Sequence, residues 1–186
     1  AISNLGMVFT ALVTGLSCGG QPLMCRVHGS RDEAALKDLV KLSVSSALLM
    51  AAAAYIIVHL KTVQLVDIFN SEKSHELQRI AEKGLRLYFV FMPFIGINSI
   101  LSVYFTSLEK PFLSQLISIL RGTVLVIPLI FIAYGIKTVS GLWLAVPTAE
   151  CITAVTAVIL TVYDFKPYEA FVYSYRPKSN SIMQRE

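Results

Sequence analysis

LYFVFMPFIGINSILSVYFTSL, residues 87–108, runs from Arg86 to Glu109 without one charged side chain. As an α-helix rising about 1.5 Å per residue, the stretch reaches roughly 33 Å. The hydrocarbon core of a bilayer is about 30 Å thick, so these residues are enough to cross it. Four more stretches share this character. Residues 1–25 are charge-free up to Arg26, and residues 39–60 lie between Lys37/Lys41 and Lys61 with an Ala-rich middle at 51–54. Residues 111–136 are interrupted only by Arg121, and residues 138–163 only by Glu150. Continuous apolarity over such lengths reads as helix, because spanning strands alternate and are shorter. A helix also satisfies its own backbone polar groups where no water is present. The fold class is therefore all-α: a polytopic membrane protein with five transmembrane helices.

Composition agrees. Apolar residues make up 55% of the chain and charged ones 15%, against about 25% charged in an ordinary soluble domain. The lipid bilayer is the expected surrounding. No block of Lys and Arg interleaves with aromatics in a soluble segment, so no nucleic-acid partner is expected. Five spans put segment 26–38, Glu109–Lys110 and the C-terminal residues on one side of the membrane. With Lys41, that side carries nine Lys and Arg, and the side holding segment 61–86 and Lys137 carries six. Basic residues favour the cytoplasmic face. This predicts a multi-pass protein of the cell membrane with residues 164–186 as a cytoplasmic tail and segment 61–86 outside. Leu77, Ile80, Leu85 and Tyr88 recur near helical spacing, which predicts a helical lead-in over 76–86 to the third span. The chain opens on Ala1 with neither an initiator Met nor the basic region of a secretory signal. It is expected to begin inside a longer sequence.

Small residues recur four apart in two spans: Ala11, Gly15 and Gly19 in the first, Ser43, Ala47 and Ala51 in the second. Such ridges let helix backbones approach closely in lipid. They read as packing surfaces within the chain or against further helices, or as a dimerisation ridge. Cys18, Cys25 and Cys151 all fall in or beside apolar helices. They read as small buried side chains rather than a disulfide framework.

Polar groups inside the spans need partners or a watery cavity. Arg121 and Glu150 lie on consecutive spans, about 15 and 12 residues from the turn near 136–138, so their depths differ by only about 4–5 Å. An ion pair between the two helices would neutralise both, either as a fixed tie or as a protonatable site in transport; the alternative is that the two side chains snorkel apart to opposite surfaces. Pro22, Pro93, Pro128 and Pro147 each fall inside a span and free a carbonyl four residues earlier. Pro22, after Gly19, Gly20 and Gln21, marks the loosest backbone expected in the chain. Asn98, with Pro93 and Gly96 before it, puts an amide deep in the third span. Gln21, Asn98, Arg121 and Glu150 are thus candidates for a substrate or ion pathway, with Pro22 and Pro93 shaping the backbone around them. His28, His59 and His75 have no ligand spacing, so no metal site is expected. No nucleophile–base set, Gly-rich phosphate loop or paired catalytic carboxylates can be read, which argues against an enzyme.

Four segments together resemble a known family. GGQPLM at 19–24 with Gly29, LRLYFVFMPFIGINSILSVYFTSLEKP at 85–111, LISILRGTVLVIPLIFI at 116–132 and GLWLAVPTAE at 141–150 are similar to diagnostic stretches of multidrug and toxic compound extrusion (MATE) transporters. The likeness runs over residues 1–163 and departs at RVHGS, 26–30. It implies most of the second lobe of a two-lobe, twelve-helix transporter, truncated at its N-terminus, with the first lobe as a missing partner. The implied activity is secondary active transport: efflux of drug-like, small organic cations by alternating access. The resemblance calls for no cofactor beyond H+ or Na+ as coupling ion. Some members bind the ion through carboxylates in the seventh and tenth helices; the third span, which corresponds to the tenth, has no Asp or Glu. Alternatives are a lipid-linked oligosaccharide flippase of the same superfamily, or an inactive fragment.

Overall fold

The computed structural model describes residues 2–69, 75–135 and 139–174. Its elements are α1 (Ile2–Gly29), α2 (Glu33–Phe69), α3 (His75–Val90), α4 (Met92–Ser107), α5 (Pro111–Ile119), a π-helical turn over Leu120–Val124, α6 (Val126–Gly135) and α7 (Val139–Ser174). Four helical stretches are long and apolar enough to cross a membrane: Asn4–Gly29, Glu33–Asp67, Pro111–Gly135 and Leu144–Phe165. The bent pair Gln78–Val90 and Met92–Ser107 makes a fifth if it is one crossing.

That pair corrects the opening stretch. Residues 87–108 do not form one straight helix; α3 and α4 meet at a bend of 43°. Pro93 explains it. It has no N–H to donate to the Phe89 carbonyl, and its ring would collide with that carbonyl in a continuous helix. Phe91, at φ −95° and ψ 0°, turns the chain instead, and Pro93 enters the first turn of α4. The expected lead-in over 76–86 lies on α3, the first member of that bent pair.

Two other helices outrun their expected ends. Lys61 does not close the second span: α2 kinks there (φ −116°, ψ 16°) and continues to Phe69. The Thr62 hydroxyl donates back to the Val58 and His59 carbonyls, a contact that bends helices by competing with backbone donors. Likewise α7 runs to Ser174, past residue 163, while its apolar stretch closes at Phe165. A charge such as Asp164 ends membrane burial without ending a helix. Pro22, by contrast, lies inside an unbroken α1.

The turns α1–α2 and α4–α5 share one construction. In the first, Arg31 N–H donates to His28 O and Asp32 N–H to Val27 O; in the second, Glu109 N–H donates to Thr106 O and Lys110 N–H to Phe105 O. These are paired Schellman closures. Arg31 (φ 57°) and Glu109 (φ 58°) stand in the left-handed position that usually takes glycine. Asp32 then opens α2, its carboxylate accepting from Ala35 N–H at 3.0 Å.

In the middle, α4 contacts α1, α2, α3, α5 and α7. Two apolar clusters stack along it. One gathers Phe9, Val13, Ala51, Leu85, Phe89, Met92 and Ile95. The other gathers Met24, Leu36, Ala47, Ile100, Leu101, Tyr104, Phe105 and Ile117. Asn98 falls between the two sets. The ridge Ser43, Ala47, Ala51 is buried, and Ala47 faces Gly96, where an added Cβ would sit 3.1 Å from Ala47 Cβ. The other ridge, Ala11, Gly15 and Gly19, faces outward. So do Cys18 and Cys25, which are free but exposed rather than buried. The outer face of α2 presents Leu42, Leu49, Ile56, Ile57 and Leu60, a surface suited to lipid rather than water.

The α1–α2 and α4–α5 turns share an end of the bundle with the close of the fifth span. Lys110 pairs with Asp164, Tyr104 donates to the same carboxylate at 3.0 Å, and Lys37 lies 5.1 Å from the centre of the Phe165 ring.

Candidate polar site between the spans

Arg121 and Glu150 meet. Arg121 Nε lies 3.5 Å from Glu150 Oε1, with the two side chains 27% and 9% exposed. The π turn delivers the arginine: Leu125 N–H reaches back five residues to Leu120 O at 3.1 Å. Pro128 cannot donate to the Val124 carbonyl four residues before it, and the backbone ahead of it takes the wider register. Arg121 thereby turns toward α4 as well as α7, and its Nη1 donates to Ser99 Oγ at 3.3 Å.

The third partner is Asn98. It is fully buried, and its Nδ2 donates to Glu150 Oε2 at 2.6 Å and to the Glu150 backbone carbonyl at 2.9 Å. Its own Oδ1 is buried without a hydrogen-bond partner. Glu150 thus receives a hydrogen bond on one oxygen and a positive charge beside the other. An ionised carboxylate in a low-dielectric interior needs both kinds of support. Tyr88 lies near the end of α3. Its ring abuts α1, where a Cβ on Gly6 would sit 3.1 Å away.

Three of the four candidate residues therefore converge where α4, the π turn and α7 meet. Gln21 does not join them. It is half-buried on α1, which contacts α2, α3 and α4 but not α7 among the described residues. Asn98 and Glu150 are enclosed by the helices of this chain, and Arg121 reaches its surface. Pro93 stands just after the α3–α4 bend. Among the described residues no three His, Cys, Asp or Glu side chains cluster as a metal site.

Sequence reasoning missed Ser99 and a set of hydroxyls beside it. Ser102 Oγ lies 2.9 Å from Ser114 Oγ and 3.5 Å from Ser118 Oγ, and Thr106 Oγ1 donates to Ser114 Oγ at 2.8 Å. The signal was present. Positions 99, 102 and 106 on one helix mirror 121, 118 and 114 on the next about the turn at 108–110.

A family model described as MatE matches residues 1–132. Gln21, Asn98 and Arg121 lie inside the match, and Glu150 lies beyond it. No curated protein and no solved structure matches the chain.

Proposed function

The chain belongs to the MatE family, whose members are membrane transporters rather than enzymes, and we propose that it works in cation-coupled efflux of drug-like organic cations. Transport would proceed by alternating access, with H+ or Na+ as the coupling ion. In this reading the bundle is one wall of a passage whose other wall is a second lobe supplied by further helices. The protein would act in the cell membrane with its C-terminus in the cytoplasm.

The observation that carries the reading is the Asn98–Glu150–Arg121 cluster. Alternating access moves one bundle against another around a site, so each bundle must hold together as it rocks. A hydrogen-bonded charge pair tying α4, the π turn and α7 does this between two apolar clusters. Glu150 serves here as a tie between helices, with the Arg121 guanidinium beside one carboxylate oxygen and the Asn98 amide on the other. Arg121 and Gln21 remain the candidates to border the passage. A lone arginine already neutralised by a carboxylate is a poor seat for a lipid diphosphate, which weighs against the flippase alternative.

The test is reconstitution of the natural full-length protein in vesicles with an imposed H+ or Na+ gradient. Gradient-dependent movement of a fluorescent organic cation supports the proposal. Movement of a lipid-linked oligosaccharide without cation transport would replace it.

A further inference from the structure

We propose that the groove between α4 and α5 is a water-facing wall, through which solvent reaches Arg121 from the end of the bundle that carries Lys110. The inference rests on the transporter reading and assigns the passage one specific face of this chain.

The groove is built as three rungs. Next to the α4–α5 turn, Thr106 pairs with Ser114 at 2.8 Å. One turn deeper, Ser102 bridges Ser114 at 2.9 Å and Ser118 at 3.5 Å. Deeper again, Ser99 accepts from Arg121 at 3.3 Å. From residue 106 to residue 99 the rungs descend about 10 Å. They end on the one charge pair described inside the spans.

Two features distinguish this face from a lipid surface. First, Thr106 and Ser118 are exposed and join in one continuous set of hydroxyls, whereas the outer face of α2 is dominated by large aliphatic side chains at Leu42, Leu49, Ile56, Ile57 and Leu60. Each hydroxyl brings one proton and two acceptor lone pairs, so the rungs leave acceptor capacity that hydrocarbon cannot use. Second, the guanidinium at the deep end keeps 27% of its surface open, and an uncovered cation at that depth calls for water. The π turn keeps the surface beside it clear: Gly122 is exposed, with no atom within 4 Å of where a Cβ would point. Phe112 and Ile119 flank the groove and point outward. Beside its mouth Lys110 pairs with Asp164, and Glu109 is exposed in the turn. The groove thus offers hydroxyls and a neutralised ion pair, a lining suited to water and hydrated solutes.

The test is the reaction rate of single cysteines with a charged, water-soluble thiol reagent. Thr106→Cys, Ser102→Cys and Ser118→Cys are made in the full-length protein after Cys18, Cys25 and Cys151 are replaced. Leu49→Cys and Ile57→Cys on the aliphatic face serve as controls, and open membrane fragments give access from both sides. Thiols react as thiolates, which need water to form, so groove positions should react at least about tenfold faster than the controls. Groove rates equal to the controls, in variants that accumulate normally, would overturn the proposal and mean that lipid or another helix covers the face. Labelling requires no transport. A protein that exports nothing can still show a wet groove, and an active exporter with an unreactive groove refutes only this inference.

Discussion

Asn98 and Glu150 are 52 positions apart, yet the Asn98 amide nitrogen lies 2.6 Å from the Glu150 carboxylate and 2.9 Å from the Glu150 carbonyl. One side chain of α4 thus grips both the backbone and the charge of α7. Asn98→Ala should lower the stability of the detergent-solubilised protein by about 1–3 kcal/mol, the cost of leaving a buried acceptor without its donor. Asn98→Asp should be worse near neutral pH, because it sets a second carboxylate against Glu150. Thermal unfolding at neutral pH reads both effects. Wild-type stability of Asn98→Asp at pH 7 would contradict the geometry.

Gly96 and Ala47 set the closest approach of α2 and α4. A methyl on Gly96 would meet Ala47 Cβ at 3.1 Å, with the Ala47 carbonyl at 3.7 Å. Overpacking in a tight core typically costs about 1–3 kcal/mol. Gly96→Ala should therefore lower the unfolding midpoint, and adding Ala47→Gly should restore most of it. Two losses that simply add would show that the helices do not touch there.

The spans were legible because apolarity sustained over twenty residues has few other readings. The Arg121–Glu150 pairing was legible too, since counting residues from a shared turn fixes depth. The grip of Asn98 on Glu150 was not, because it depends on which helices are neighbours and how each is rotated. Prolines show the same limit. Pro22 and Pro93 look alike in sequence, but only Pro93 stands beside a broken helix. The kink at Lys61 involves no proline: Thr62 competes for backbone carbonyls there, a contact that hydroxyls make in many straight helices. The rungs at 99, 102 and 106 and at 114, 118 and 121 were readable in principle, once the chain was folded back at 108–110.

Arg31 and Glu109 hold positive φ where a side chain is strained, at about 1–2 kcal/mol per residue. Glycine there relieves the strain but loses more entropy on folding. Glu109→Gly and Arg31→Gly should each raise stability modestly, by up to about 1 kcal/mol. Glu109→Ala should give no such gain. Equal midpoints for Glu109→Gly and Glu109→Ala would mean the turn does not sit in the left-handed region.

Orientation is testable at two exposed positions, Ser30 after α1 and Lys83 on α3. The nine-to-six basic asymmetry places Ser30 inside and Lys83 outside. In a cysteine-free background and intact cells, an impermeant thiol reagent should label Lys83→Cys and spare Ser30→Cys. The opposite pattern would invert the protein in the membrane.

The measurement that tests the central claim most directly is paired: the amount of folded protein in the membrane, and the pH dependence of efflux, for Glu150→Gln, Arg121→Gln and the double variant. Removing one partner of a fully buried pair costs about 3–5 kcal/mol. With the guanidinium 27% exposed, solvent screening should reduce that to about 2 kcal/mol. Each single variant should therefore accumulate less folded protein and the double variant recover part of it, while the residual efflux keeps the wild-type pH profile. Wild-type abundance of Glu150→Gln with pH dependence abolished would contradict the account and make Glu150 the coupling residue.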